Sequence, residues 1–227
     1  MEALRWAFIG PDGLRQGWRF LLFAAAIVLL IQFCEKPVVE FAASQLHTDP
    51  HALSAPAIFV SDGVDLIFIL VVTGIAALLE RRRVDSYGLP VNKAFSGLFW
   101  NGVLAALAMV VFVGAAMLLA GGMRIHRLAL HGVTILASPL SWLMAMLFVG
   151  LTEEYLFRGY ALQSLWRGAG FWPAALITTG IFAGDHLEKP HENAIDIGMI
   201  FALGLLMCLS VRVTGSLWWA VGVARSV

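Results

Sequence analysis

Charge is scarce in this chain. Only 13% of its 227 residues are Asp, Glu, Lys or Arg, and fifteen basic residues offset fifteen acidic ones. No net charge therefore points to nucleic acid. Cysteine is almost absent, and Cys34 and Cys208 have no metal-ligand spacing, so both read as structural or incidental. No repeat of fixed period and no low-complexity tract is present. Two catalytic signatures are missing as well. Without H-E-x-x-H there is no helix-borne zinc pair with its glutamate base. Without G-x-S-x-G there is no nucleophile elbow, and Ser216 after Gly215 reads as a turn or N-cap. Asp185 has no matching aspartate on another helix, which removes an acid dyad.

What the chain does have is apolar length. Hydrophobic residues make up 60% of it and its mean hydropathy is +0.84, which implies an all-α, polytopic transmembrane helical bundle. Residues 1–18 read as an interfacial segment, with Arg5, Arg15, Trp6 and Trp18. The first span starts at Arg19 and continues past Cys34 through Val38, Val39 and Phe41 with no clear cleavage site, so an uncleaved helix is expected rather than a signal peptide. Further spans are expected at 57–79, 95–120, 135–166, 171–187 and 195–211. A seventh apolar run from Leu217 is only 11 residues long, too short to cross a core of ~30 Å. That makes six full spans and a truncated seventh, with 19–132 as the N-terminal helices and 133–227 as a separate core. Asp62 and Asp65 near the start of the second span suit an interface or a water-filled mouth. Glu80-Arg81-Arg82-Arg83 reads as a basic stop. Arg5, Arg15, Arg81–Arg83, Lys93, Arg167 and Arg212 fall on one side and Lys36, Arg124, Arg127 and Lys189 on the other, which places the N-terminus in the cytoplasm.

The fourth hydrophobic stretch carries Glu153, Glu154 and Arg158. It exceeds the ~20 residues a span needs, so it should tilt, kink or project. Ionisable groups inside a membrane are costly and persist where they face a protein interior or a water cavity. Glu154 and Arg158 stand at i,i+4 with the acid first, the favourable order for a pair on one face. Glu153 points about 100° away from that pair. A buried carboxylate turned from the ion pair has the character of a general base, whereas a polar knot holding helices together is the alternative.

Gly168-Ala169-Gly170 is a tight break, so the fourth and fifth spans should form an antiparallel hairpin. Glu153 lies 16 positions before Ala169 and His186 lies 17 after it. At about 1.5 Å per residue both sit roughly 25 Å from the turn. Phe182, four residues before His186, shares its face. A carboxylate and a neutral imidazole at one depth can hold a water and take its proton. They could also give a metal two ligands, fewer than the three usual in catalytic zinc sites.

These residues carry a resemblance. Glu153-Glu154-x-x-x-Arg158 followed by Phe182-x-x-x-His186 resembles the first two motifs of the CAAX prenyl protease and bacteriocin-processing family of intramembrane proteases. Arg158-Gly159-Tyr160, Pro190 with Glu192-Asn193-Ala194, and Thr214-Gly215-Ser216-Leu217-Trp218-Trp219-Ala220 are similar to its surrounding segments, and the resemblance covers about 141–223. It implies an intramembrane endopeptidase with Glu153 as general base and His186 as its water-orienting or metal-binding partner. Glu154, Arg158 and Phe182 would support them. The family is often called a metalloprotease, so a divalent metal such as zinc, held by Glu153 and His186, is the cofactor implied. The implied partners are a peptide or membrane-tethered, prenylated protein substrate and membrane lipid, in a bacterial plasma membrane. The family's third motif, a histidine with an asparagine or aspartate about four residues on, would begin where this chain has Ala224. Losing one such oxyanion donor typically costs ~10²–10³ in rate. The alternative expectation is thus an impaired or dead member acting in binding, immunity or as a scaffold.

Overall fold

A computed structural model describes residues 8–10, 13–125, 130–187 and 193–224. Arg5, Trp6, Arg127, Lys189, Pro190, Glu192 and residues 225–227, all used above, lie outside the described residues.

Among the described residues, a two-residue hairpin (β1, Ile9–Gly10; β2, Gly13–Leu14) precedes seven helices. They are α1 (Gln16–Gln45), α2 (Ala55–Glu80), α3 (Gly97–Leu119), α4 (Thr134–Ala169), α5 (Phe171–His186), α6 (Ala194–Thr214) and α7 (Trp218–Ala224). Five of them (α1, α2, α3, α4 and α6) are long and apolar enough to cross a membrane. The protein is an all-α, integral membrane bundle. The expected spans coincide with α2 to α6 to within a few residues, and α1 runs on through a π turn at Ile31–Glu35 to Gln45. α5 matches its expected range to one residue, but at 16 residues it is not among the five helices long enough to cross, so five such spans stand where six were expected.

Local chemistry sets the ends. Ser54 caps α2 by accepting the Ala57 amide at 3.3 Å, beside Pro56 in the first turn. Asn193 and Asp196 form a reciprocal capping box at the start of α6, with the Asn193 side chain accepting the Ile195 amide at 2.8 Å. Gly170, at φ +87°, makes the turn between α4 and α5 that the sequence break predicts.

The short α7 is among the most buried elements. Ala220 and Val221 within it and Leu217 just before it are fully enclosed. A methyl at Gly102 of α3 would collide with the Trp219 carbonyl oxygen, and one at Gly222 of α7 with the Phe99 carbonyl oxygen. Lipid supplies no hydrophobic drive between helices, so this glycine-to-glycine approach is what lets the backbones gain dispersion contact. The loop before α3 closes over α7 from one end. Gly88 accepts the Leu217 amide at 2.7 Å, and the Trp218 indole donates to the Pro90 carbonyl at 3.0 Å. α4 runs between α2 and α7, while α5 packs on the end of α4 and on α6.

One end of the bundle is tied by an acid. Glu80 reads in sequence as part of a basic stop, but its side chain is only 5% exposed and gathers partners from elsewhere in the chain. Three other segments meet there: Tyr160 of α4 donates to it at 2.6 Å and Tyr87 of the loop before α3 at 3.0 Å, while Arg19 of α1 and Arg167 of α4 pair with it, each at 3.4 Å. Burial, then the negative charge of Glu80, pushes the Tyr87 phenol above its usual range.

Candidate active site

The charged stretch lies where α4 changes geometry. The helix is regular to Glu154, continues as a π turn over Tyr155–Ala161, and breaks at Gly159, whose ψ is −110°. The kink expected of an overlong span is there. Wide turns of this kind often mark functional positions, because the extra residue re-aims side chains.

Glu154 and Arg158 form the expected pair, with Arg158 Nη1 3.2 Å from Glu154 Oε1. Both are almost wholly enclosed, at 2% and 0% exposure. The contact is an ion pair without hydrogen-bond alignment: Glu154 Oε2 and all three Arg158 nitrogens lack a hydrogen-bond partner among the described residues. The guanidinium is held by stacking as well, its Cζ 4.4 Å from the centroid of Phe182. Gly204 on α6 makes the space. A Cβ there would sit 3.0 Å from Arg158 Nη2 and 2.7 Å from the Thr179 methyl.

His186 closes α5. Its Nδ1 lies 2.9 Å from the Phe182 carbonyl oxygen, and a carbonyl can only accept, so Nδ1 carries the proton in this contact. In the neutral tautomer that this contact selects, Nε2 is the nitrogen with a lone pair for another group. Phe182 stands edge-on to His186 at 4.7 Å and to Phe157 at 5.1 Å. The shared face read from the i,i+4 spacing is therefore real, and it looks toward the helix segment that carries the acids.

Glu153 is half-buried on α4. Its neighbour Thr152 donates to the Asp62 carbonyl on α2 at 3.1 Å. Asp62 and Asp65 are themselves half-buried, and Asp65 is within electrostatic reach of Glu35 on α1. A uniform α-helical rise back to the turn would put Glu153 and His186 at one depth. The π turn and the Gly159 break remove that uniformity, so the counted distances no longer measure depth. Phe157 and Phe182 give a direct level instead, since their rings meet across the two helices.

Sequence reasoning missed Phe157, Thr152 and Gly204. Phe157 lies inside the first motif and could have been found as the ring facing Phe182. Gly204 had only the weak signal of a small residue in an apolar span. Among the described residues, no three His, Cys, Asp or Glu side chains gather closely enough to hold a metal ion.

Residues 135–223 match the family model described as type II CAAX prenyl endopeptidase Rce1-like. This is a CAAX prenyl protease family core. It runs from α4 to the end of α7 and leaves α1 to α3 outside the match. The Glu153, Arg158 and His186 positions all fall within that CAAX protease core, on α4 and α5. The family that this segment matches is one of proteases, and so of hydrolases, and the chain's long apolar helices set it in the membrane. No curated protein and no solved structure matches the chain.

Proposed function

We propose that the protein is an intramembrane endopeptidase that hydrolyses a peptide bond in a prenylated or otherwise membrane-tethered substrate. Glu153 is the general base, and His186 orients the attacking water. The observation that carries this reading is the contact of His186 Nδ1 with the Phe182 carbonyl, which turns a basic Nε2 away from its own helix.

The chemistry follows from these two groups. Glu153 takes one proton from the water while Nε2 accepts a hydrogen bond from the other. The water oxygen bonds to the peptide carbonyl carbon, and the carbonyl electron pair moves onto its oxygen. When the tetrahedral species collapses, the C–N bond breaks and the amine leaves with the proton held by Glu153. Arg158 compensates the charge of Glu154, so that a second carboxylate can be carried in the same segment.

The family implies a divalent metal such as zinc, and Glu153 with His186 would be its donors. Two donors do not fit the three protein ligands usual in a catalytic zinc site, and no third joins them among the described residues. No step above is therefore routed through a metal. The basic residues gathered around Glu80 support a cytoplasmic N-terminus.

The test is cleavage of a fluorogenic farnesylated peptide and its unprenylated twin by the protein in proteoliposomes. Wild type should cleave the farnesylated peptide, and Glu153→Gln and His186→Ala should each lower turnover at least ~10²-fold. Wild type that leaves both peptides intact, or Glu153→Gln at wild-type turnover, removes the proposal.

A further inference from the structure

At the end of the bundle away from His186, a cleft of about 420 Å³ opens between α4, α6 and the loop before α3. Ser86, Gln163, Trp166, Arg167 and Arg212 line it, and no acid does among the described residues. Every one of these side chains can donate a hydrogen bond, and two carry fixed positive charge. Arginines at the ends of spanning helices often act only as interfacial anchors. Here two of them converge from different helices on one concave site.

The guanidinium groups are also held in place. Arg212 Cζ lies 4.6 Å from the Phe171 centroid, and Arg167 Cζ lies 5.5 Å from that of Tyr87. Stacking on an aromatic face restrains a guanidinium while its N–H edge stays available for oxygen ligands. The nearby acid, Glu80, does not balance the charge. It is shared by Arg167 and Arg19, each at 3.4 Å, and Arg82 at 3.9 Å. The cleft therefore keeps an excess of positive charge at the level where the apolar helices end.

We infer that this cleft binds a phosphate group, either the headgroup of an anionic membrane lipid or a free phosphate. Planar forks from Arg167 and Arg212 match phosphate oxygens, with Gln163 and Ser86 as neutral donors. Basic pockets between helices at the membrane surface recognise lipid headgroups by the same chemistry. This inference needs the protein to lie in a membrane but not to be a protease.

Native mass spectrometry of the delipidated full chain, titrated with phosphatidylglycerol or phosphatidylcholine, tests it. Wild type should retain phosphatidylglycerol preferentially. Arg212→Gln should weaken that retention roughly tenfold, the size of one lost charge-assisted contact. Ser86→Asp, which puts an acid at the mouth from an exposed loop, should weaken it similarly. Lys36→Gln removes an equal charge from an exposed site on α1 and should bind as wild type. Melting temperatures without lipid establish that each variant is folded. Displacement of the lipid by millimolar inorganic phosphate assigns the cleft to the free anion, whereas lipid binding that resists phosphate assigns it to the headgroup. Equal retention of both lipids with no effect of inorganic phosphate overturns the inference. So does wild-type binding by both Arg212→Gln and Ser86→Asp.

Discussion

Glu154 and Arg158 face each other at 3.2 Å across the junction where α4 passes from α to π geometry. Nearly all the surface of both is gone, so their charges see each other through protein and not through water. Removing one member strands the other. Arg158→Met should cost about 3–5 kcal/mol. Pairing it with Glu154→Leu should recover most of that loss, because no charge is then left buried. Thermal unfolding of wild type and the two variants in one detergent measures both numbers.

The space for Arg158 depends on an absent methyl group. Gly204→Ala would press on Thr179 and on the guanidinium, and overpacking of this kind costs about 1–3 kcal/mol. Gly198, on the same helix, has nothing within 4 Å of the position a Cβ would take. Gly198→Ala should therefore be neutral or raise stability by about 0.5–1 kcal/mol through helix propensity alone. Opposite signs in paired melting curves are the expected result.

α7 is held at the Gly102–Gly222 crossing. Gly222→Leu drives a branched chain into the Phe99 carbonyl and toward the Val103 amide, 3.0 Å from a Cβ at that position. The backbones must separate, and with them the contacts that enclose Leu217 and Val221. Limited proteolysis should then cut the chain near Thr214–Ser216 faster than it cuts wild type. The resulting loss of Trp218 burial should shift its fluorescence to the red.

Tyr87 makes stability fall at high pH. Its folded phenol holds its proton more tightly than the unfolded one, whose ordinary value is 10.0. As pH rises past that value, the unfolded chain releases the proton first and gains relative to the fold. The contribution is fully present below pH 10.0 and is lost above it. Tyr87→Phe should lose less stability than wild type between pH 9 and pH 11, read as the difference between two melting series.

The helical bundle was legible because apolar length is a composition signal that no packing detail can hide. The Glu154–Arg158 pair follows from helix spacing alone. Three things were not legible. Nothing local announces that Tyr155–Ala161 adopts a π turn, since its residues are ordinary helix formers apart from Gly159. The role of Glu80 depends on groups brought from Arg19, Tyr160 and Arg167, far apart in the chain. The burial of α7 depends likewise on Gly102, more than a hundred positions before Gly222. Both lie in tertiary contacts, which periodicity does not encode.

The central claim is that Glu153 and His186 share one water-accessible site. Paired cysteines at 153 and 186, in a chain with Cys34 and Cys208 replaced, test it with a short water-soluble bifunctional thiol reagent. A second pair at Phe157 and Phe182, whose rings lie 5.1 Å apart, calibrates the reagent. The account predicts cross-linking of both pairs in membranes. Cross-linking at 157 and 182 without any at 153 and 186 would contradict it.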